Sequence, residues 1–493
     1  MMTKIKYAFT LMVLAFSTVA ALLAQSPEAR VSQDAVKRVE AYLAKLDKAE
    51  YTGTVMVAVD GKPVVSKGYG FSEAERRLRN SPRTIFDTGS VTKQFTAAAV
   101  LKLEMEGKLS TADKIGKYFP NVPADKADIT IHHLLRHSSG LPSSVGKDFE
   151  KITESEFVEK VFAAPLRSPV GVRFGYSNIG YSLLALIVEK VSGRSYEQYL
   201  YENLWKPAGM EMTGYSRPKF DKDVIAVGYR DGERWGKPTE KEWAGDAPYL
   251  HLKGNGGVLS TTEDLLKWDR ALATDKILSK EAKRKYYFPE LRADETGRSH
   301  YGYGWDVSTT GRGTTRVRHN GANGVFYADF YRFVDEGVTI IAMSNRRQLH
   351  FNETALILSK IIFDAKYTPV DPVANTPANQ AFTKAIVKLA LEKGASVAME
   401  SYRTRNKGND LLERAVNSKG YDLIDEKKFK EAIELFRLNV LAFPKSANAY
   451  DGLGEAYEEA GYKALAVENY KRALLLDSEN EHAQNVLKRL EGK

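Results

Sequence analysis

The chain has 493 residues, more than one ordinary domain holds, so we expect two or three domains. Hydrophobic residues make up 43% and charged residues 27%, a balance that excludes disordered and fibrous proteins. The net charge of +9 favours solubility, and because no dense Lys/Arg block with interleaved aromatic residues accompanies it, we expect no nucleic-acid binding.

The N-terminus predicts a secretory signal peptide over residues 1–24. Lys4 and Lys6 form a short basic region, an apolar run follows, and small residues near Ala21 or Ala24 offer cleavage sites. The alternative is an uncleaved anchor, because the apolar run is only slightly short for a membrane span. The polar stretch that follows favours cleavage. We therefore expect an exported protein, periplasmic or extracellular, with no integral membrane span after signal removal.

Cysteine is missing from the sequence. This excludes disulfides, thiol catalysis, thiolate metal sites and a lipid-modified cysteine after the signal. Stability outside the cytoplasm then depends on burial of a core, which a chain of this length can supply.

The first structured elements are a helix at 33–48 and a β-hairpin that alternates and breaks at Asp60-Gly61. That dipeptide tolerates positive φ, as hairpin turns require. A mostly apolar helix is predicted to open at Ser90, and from about 110 to 290 the pattern indicates helices and loops.

Strand patterns return late in the chain. TTRVRHNGANGVFYADFYRF and GVTIIAMSN predict adjacent strands, and FNETALILSKIIFD predicts a closing helix. Strands at both ends with a helical insert between them indicate one α/β domain, 25–366, whose sheet is assembled from both of its ends.

The C-terminal part is predicted to be all-α. A proline-containing linker and helices occupy 367–409, and 410–493 carries a 34-residue period that resembles tetratricopeptide repeats. An ordinary stack of helical hairpins is the alternative. We expect this segment to dock a protein partner or to shield the main domain. The matched pairs are Gly420 and Gly454, Ala432 and Ala466, and Phe436 and Tyr470.

The pattern Ser-x-x-Lys marks a candidate nucleophile at Ser90 with Lys93, because residues i and i+3 share a helix face. A poorly solvated lysine has a lowered pKa and can accept the serine proton. The helix N-terminus adds positive potential where an oxyanion would form. A capping serine with a snorkelling lysine is the alternative. Two further copies fall outside predicted helices, at Ser144/Lys147 and Ser216/Lys219.

A second candidate unit is Tyr176-Ser177-Asn178, in a loop just before an apolar helix. It places a phenol that can pass a proton beside a carboxamide that can hold an amide carbonyl. A packed tyrosine at the helix entry is the alternative. Tyr201-Glu202-Asn203 has the same spacing but falls late in a predicted continuous helix.

A third unit is His319-Asn320-Gly321, on a predicted strand. Glycine on a strand lets another backbone or a ligand come close. His300-Tyr301-Gly302 repeats the spacing, and we interpret it as structural.

In this order, Ser90-x-x-Lys93, Tyr176-x-Asn178 and His319-x-Gly321 resemble the serine β-lactamase and penicillin-recognising hydrolases of the class C type. That family includes D-alanyl-D-alanine carboxypeptidases, D-aminopeptidases and esterases. Tyr-Ser-Asn in place of Ser-Asp-Asn favours class C over class A. His-Asn-Gly in place of Lys-Thr-Gly removes a permanent cation and a hydroxyl beside the substrate carboxylate, which argues against efficient β-lactam hydrolysis.

The resemblance spans about 30–365 and implies an antiparallel sheet flanked by helices, with a helical insert. It implies a secreted hydrolase that cleaves an amide or ester of a small molecule or peptide without a cofactor or metal. The alternative is a non-catalytic binding or scaffold protein, since fold does not determine function. The implied roles are Ser90 as the acylated residue, Lys93 as its base, Tyr176 in proton transfer, Asn178 and His319 in substrate binding, and the Ser90 and Ala322 N–H groups, beside Gly321, as the oxyanion hole. His132, His133 and His137 form no recognisable ligand set, and we interpret them as structural.

Overall fold

The computed structural model describes residues 31–217, 219–230, 233–241, 248–289, 291–292, 299–346, 353–369, 371–372, 377–405, 411–478 and 480–491. The predicted signal peptide, 1–24, lies outside these residues. Within the described part of the chain, no helix combines the length and the apolar composition that a membrane crossing needs.

The central element is an antiparallel sheet, eight strands wide among the described residues, in the order β2-β1-β14-β13-β12-β11-β10-β9. Short two-stranded sheets accompany it. The strands are β1 (Gly53–Val59), β2 (Lys62–Tyr69), β3 (Phe71–Glu73), β4 (Leu78–Arg79), β5 (Phe86–Asp87), β6 (Gly228–Arg230), β7 (Glu233–Gly236), β8 (Leu259–Ser260), β9 (Leu291–Arg292), β10 (Ser299–Tyr301), β11 (Asp306–Thr309), β12 (Thr315–Asn323), β13 (Phe326–Phe333) and β14 (Val338–Ser344).

The two ends of the sheet-forming region meet in its middle. β1 and β2 form the predicted hairpin, and Asp60 and Gly61 turn with φ of 47° and 69°. β1 then pairs with β14 along its whole length, with Val57 opposite Ile340. The prediction of a sheet built from both ends of one α/β domain is therefore confirmed.

Every residue of β1 is buried, because helices cover both faces of the sheet. Val55 and Val57 point to one face, where α1 and α10 pack, whereas Met56 points to the helical insert on the other. The helices are α1 (Gln33–Lys48), α2 (Thr92–Met105), α3 (Ile131–Leu135), α4 (Glu154–Ala163), α5 (Asn178–Ser192), α6 (Tyr196–Leu200), α7 (Lys206–Ala208), α8 (Thr262–Leu272), α9 (Lys280–Tyr286), α10 (Thr354–Phe363), α11 (Pro377–Lys393), α12 (Ala395–Arg405), α13 (Glu413–Asp425), α14 (Phe429–Ala442), α15 (Ala447–Glu459), α16 (Lys463–Leu476) and α17 (Glu481–Glu491).

Helix α2 is the centre of the insert and is buried on nearly every side, as its apolar sequence predicts. The prediction that this helix opens at Ser90 was wrong by two residues. Ser90 lies in a 3₁₀ turn, Gly89–Val91, and the α-helix begins at Thr92. The chain enters through this tighter turn because Gly89 adopts a left-handed φ of 50°, so Ser90 is not the N-cap of α2.

The C-terminal region is helical, as predicted. Helices α13 to α16 form two successive hairpins, and each has a glycine against an aromatic ring. A Cβ on Gly420 would lie 2.6 Å from the Phe436 ring, and one on Gly454 would lie 3.0 Å from the Tyr470 ring. The 34-residue period thus repeats one packing contact. Ion pairs tie this region to α10 and the residue before it, with N···O distances of 3.3 Å for Lys360–Asp477 and 3.4 Å for Arg414–Glu353.

Candidate active site

Ser90 and Lys93 form the centre of the site. The Lys93 Nζ lies 3.0 Å from the Ser90 Oγ and donates to the Asn255 carbonyl oxygen at 2.7 Å. Lys93 is completely buried, and this burial lowers its pKa well below the ordinary value because the charged ammonium is poorly solvated. The sequence-based expectation of a poorly solvated lysine beside a serine hydroxyl matches this geometry.

Tyr176 lies in the loop before α5 and contacts both Ser90 and Lys93. Its hydroxyl is hydrogen-bonded to the Ser90 side chain, and its ring centroid lies 4.7 Å from the Lys93 Nζ. Burial raises the pKa of Tyr176, so the phenol keeps its proton at neutral pH. Ser177 caps α5 through its Oγ, which fixes where the loop ends.

Asn178 is the first residue of α5 and lies two residues after Tyr176. Its backbone N–H donates to the Ser143 carbonyl oxygen at 2.9 Å. Its side-chain Oδ1 is buried and finds no hydrogen-bond partner among the described residues. A buried amide oxygen without a partner is costly, so this atom is a candidate acceptor for an amide N–H of a bound ligand.

His137 lies directly against Tyr176, although the sequence predicted only a structural role for it. The two ring centroids are 4.3 Å apart, and the His137 Nδ1 accepts a hydrogen bond from the Ser177 N–H at 3.0 Å. Burial lowers the pKa of His137 well below its ordinary value, so the ring is neutral. We infer that His137 positions Tyr176. One sequence carries no signal for a contact across these forty residues.

His319 is a neutral group in this site. Its pKa is lowered to about 3, first by burial and then by the charge of Lys93. The Nδ1 lies 2.6 Å from the Asn320 carbonyl oxygen, so it carries the proton and donates it there. The Nε2 then accepts from the Tyr301 hydroxyl at 2.7 Å.

Tyr301 therefore belongs to the site, although the sequence favoured a purely structural reading of that motif. Its ring lies edge-on to Tyr176, with centroids 6.2 Å apart, whereas those of His319 and Tyr176 are 6.4 Å apart. Tyr301 therefore connects His319 to Tyr176, by a hydrogen bond on one side and a ring contact on the other.

Gly321 brings strand β12 into backbone contact with the Ser90 turn. A Cβ on Gly321 would lie 1.9 Å from the Thr88 carbonyl oxygen and 2.7 Å from the Ser90 nitrogen. From the other side, a Cβ on Gly89 would lie 2.5 Å from the Ala322 nitrogen. The N–H groups of Ser90 and Ala322 are therefore brought to one place, at the exposed end of β12.

This site lies within a region that matches a known family. The family model described as Beta-lactamase matches residues 36–360, about two thirds of the chain. The chain belongs to the beta-lactamase family. Among its relatives is penicillin-binding protein 4* of Bacillus subtilis (strain 168), 30% identical over 338 residues that cover 65% of this chain and 74% of that protein.

Solved structures agree with the beta-lactamase-family fold. The octameric penicillin-binding protein homologue from Pyrococcus abyssi is 28% identical, with a TM-score of 0.57 over 72% of this chain and 81% of that one. The penicillin-binding protein from Bacillus halodurans is 25% identical, with a TM-score of 0.55 over 64% of this chain and 99% of that one.

In this beta-lactamase-family chain, Asn255 is a further site residue that sequence reasoning missed. Its carbonyl accepts from Lys93, and its side-chain Nδ2 donates to the Ser182 Oγ and the His251 carbonyl oxygen, both at 2.9 Å. The segment GNGG, residues 254–257, has the composition of a turn, but such a pattern does not reveal which carbonyl points inward.

The loop 143–150 brings a negative charge toward the lysine. The charge of Asp148 acts on Lys93, and partial burial raises the pKa of Asp148. The loop packs on His251, because a Cβ on Gly146 would lie 2.3 Å from that ring.

The remaining candidates do not join the Ser90–Lys93 pair. Ser144 and Ser216 are not on helices, and Tyr201 to Trp205 form a π-helical turn rather than a continuous α-helix. His132 contacts the Tyr303 hydroxyl, and His133 belongs to the capping box of α3. The described residues contain no group of three or more His, Cys, Asp or Glu side chains arranged to hold a metal.

Proposed function

We propose that the chain is a serine hydrolase of the class C β-lactamase, DD-peptidase and esterase type, which forms an acyl-enzyme on Ser90 and cleaves an amide or ester. One observation carries the proposal: the Ser90 Oγ lies 3.0 Å from the Nζ of a buried lysine whose pKa is lowered. Such a lysine is a base for the hydroxyl and has little other use in a core.

Acylation follows from this geometry. The Ser90 Oγ attacks the carbonyl carbon while neutral Lys93 takes its proton, and the carbonyl oxygen becomes an oxyanion. The Asn255 carbonyl keeps the Nζ aimed at Ser90. When the C–N or C–O bond breaks, Tyr176 gives its proton to the leaving group and regains one from Lys93.

Deacylation runs the same path in reverse with water. Water attacks the acyl carbon, and its proton passes through the Tyr176 hydroxyl to neutral Lys93. When the bond between the acyl carbon and the Ser90 Oγ breaks, Lys93 returns that proton to the Ser90 Oγ, which restores the free enzyme. The N–H groups of Ser90 and Ala322 are placed to stabilise the oxyanion in both steps, and each such donor typically contributes about 3 kcal/mol.

The charges of the side chains around Ser90 bear on the class of substrate. His319 is neutral where the related signature has lysine, so position 319 offers no cation to a substrate carboxylate. The carboxylate of Asp148 acts on the same region. We therefore propose a D-amino-acid peptide or a simple ester as substrate rather than a β-lactam. The partnerless Asn178 Oδ1 suits an amide N–H on the acyl side.

The segments outside the hydrolase domain are given roles by their sequence. Residues 1–24 have the pattern of an export signal, so we propose a periplasmic or extracellular enzyme. The repeated glycine-on-ring contacts of Gly420 and Gly454 support a tetratricopeptide-like segment that docks a protein partner.

The test is Ser90→Ala in a screen of D-amino-acid amides, short-chain esters and β-lactams. We expect turnover to fall at least about 10⁴-fold with melting nearly unchanged, since only one hydroxyl is lost. Ser144→Ala is the matched control, because Ser144 and Lys147 have the same spacing outside a helix, and it keeps full activity.

Intact-mass analysis after incubation with penicillin distinguishes a peptidase-like hydrolase from a β-lactamase. A stable adduct on Ser90 indicates a peptidase-like site, and rapid turnover indicates a lactamase. Retained activity in Ser90→Ala, or a fluorophosphonate probe that never labels Ser90, would contradict the proposal and favour a binding or scaffold protein.

A further inference from the structure

Asp87 is a buried carboxylate with no part in the mechanism above. It lies in β5, whose backbone pairs with β8, and its side chain is 1% exposed. A charge in such a place normally needs specific partners, because burial strongly disfavours the ionised form.

The partners of Asp87 come from both sides of the reacting serine. Its Oδ1 accepts a hydrogen bond from the Gly89 N–H at 2.7 Å, and its Oδ2 accepts from the Asn323 Nδ2 at 2.5 Å. Both distances lie at the short end of the hydrogen-bond range.

Both partners of Asp87 are sequence neighbours of the residues whose N–H groups form the proposed oxyanion hole. Gly89 is the residue before Ser90, and Asn323 is the residue after Ala322. One carboxylate therefore connects the turn that carries one oxyanion-hole N–H to the strand that carries the other.

We propose that Asp87 is a positioning residue that fixes the separation and direction of the Ser90 and Ala322 N–H groups. This inference rests on the proposed function, because a separation of two N–H groups matters only if an oxyanion forms between them. Preorganised donors stabilise a developing charge without reorganising, so a small displacement of either lowers the rate of both acylation and deacylation.

The energetics of Asp87 support a functional role. Burial raises its pKa to about 7, the nearby charge of Asp148 raises it further, and the bonds from Gly89 and Asn323 lower it. The Tyr215 hydroxyl also lies within electrostatic reach. A raised pKa means that the group stabilises the fold fully below its unfolded pKa near 4, and that this contribution is lost as the pH rises through about 7. Above pH 7 the ionised carboxylate therefore lowers stability. Groups that are held at such a cost to stability occur mainly at functional sites.

The test compares Asp87→Asn, Asn323→Asp and the exchanged pair Asp87→Asn/Asn323→Asp at pH 8, using whichever substrate the screen identifies. Asp87→Asn removes the charge and presents an amide to the amide of Asn323, so we expect kcat to fall about 30-fold with KM changed less than about twofold. Asn323→Asp places two carboxylates together and reduces kcat at least as much.

The exchanged pair restores one carboxylate and one amide in the same place, and we expect its kcat within about threefold of wild type. The melting temperature of Asp87→Asn at pH 8 is expected to be equal to or above that of wild type. A merely structural role predicts the reverse: lower melting in step with lower activity, and no rescue on exchange.

Labelling by a fluorophosphonate distinguishes the two proposals. If wild type does not label on Ser90, the proposed function fails. If wild type labels and Asp87→Asn labels and turns over at the same rate, the hydrolase stands and the positioning role of Asp87 is wrong.

Discussion

The Ser90 site and the C-terminal hairpins both depend on glycine at a close contact, but the contacting atoms differ. At Gly321, the missing side chain admits the backbone of Thr88 and Ser90. At Gly420, it admits the far end of the Phe436 ring. Backbone contact brings N–H groups together where a ligand can use them, whereas ring contact only fills space. The same residue type therefore serves chemistry in one region and packing in the other.

The titratable groups of the two regions also differ in their surroundings. Around Ser90, the buried groups Lys93 and His319 have lowered pKa values because burial outweighs compensation. In the C-terminal region, ion pairs such as Lys471–Glu491 lie partly exposed, where they contribute little. Burial also raises the pKa values of Glu413 and Glu455 in the second region. The difference is that in the first region a shifted group, Lys93, contacts a serine hydroxyl.

Among the substitutions that test the difference between the two regions, Gly321→Ala has the largest expected effect on activity and stability. The new Cβ would lie 1.9 Å from the Thr88 carbonyl oxygen, and backbone cannot move aside as a side-chain tip can. Strand β12 must shift, which displaces the Ala322 N–H, so we expect kcat to fall about 10³-fold and stability by about 3 kcal/mol. Steady-state kinetics and denaturant unfolding measure both. Gly116→Ala is the control, because a Cβ there meets nothing within 4 Å; equal activities of the two variants would refute the assignment.

The pH dependence of stability sharpens the comparison. His319 has a folded pKa of about 3 against an ordinary value of 6.5, so the unfolded chain takes up a proton first as the pH falls. Its contribution is present above about 6.5 and is lost toward pH 3, by about 1 kcal/mol per pH unit within that window. We expect His319→Gln to reduce the slope of unfolding free energy between pH 6 and pH 4, as approximate limits set by the two pKa values.

Tryptophan fluorescence is a suitable probe for that measurement. All five tryptophans lie between residues 205 and 305, so urea unfolding followed by this signal reports the beta-lactamase-family region and not the C-terminal helices. Parallel stability curves for wild type and His319→Gln would show that His319 is not held neutral by burial.

Gly420→Ala gives the smallest expected effect. The added Cβ meets the Phe436 ring at 2.6 Å, which costs about 1–3 kcal/mol in overpacking, and the gain of about 1 kcal/mol in helix propensity offsets part of it. We expect faster amide hydrogen exchange in α13 and α14 and unchanged turnover. Gly420→Ala/Phe436→Leu makes room for the methyl and restores slow exchange. A loss of turnover in Gly420→Ala would contradict the division between the two regions.

Much of the site could be predicted because its residues sit in recognisable local contexts. Ser90 and Lys93 precede an apolar helix, Tyr176 and Asn178 flank a helix cap, and Gly321 lies on a strand. The order of these units along the chain carried the family resemblance. The fold was predictable for the same reason, since the hairpin at Asp60 and the strands after 315 have clear two-residue alternation.

The missed residues share a different property. His137, Tyr301, Asn255 and Asp87 each contact a residue from another segment of the chain, and no local pattern states which segments meet. The 3₁₀ turn at Ser90 was missed because it depends on the left-handed φ of Gly89. The repeats were visible as a period, but the period alone does not state what they bind.

The pairing of β1 with β14 has a consequence for the order of folding during synthesis. Gly53 pairs with Ser344, so the N-terminal hairpin gains its neighbour only after almost 300 further residues have been made. Closing so long a loop is entropically expensive and slow, and until then the apolar edge of β1 stays open to wrong partners. The nascent chain therefore completes its sheet only when the segment Val338–Ser344 has emerged.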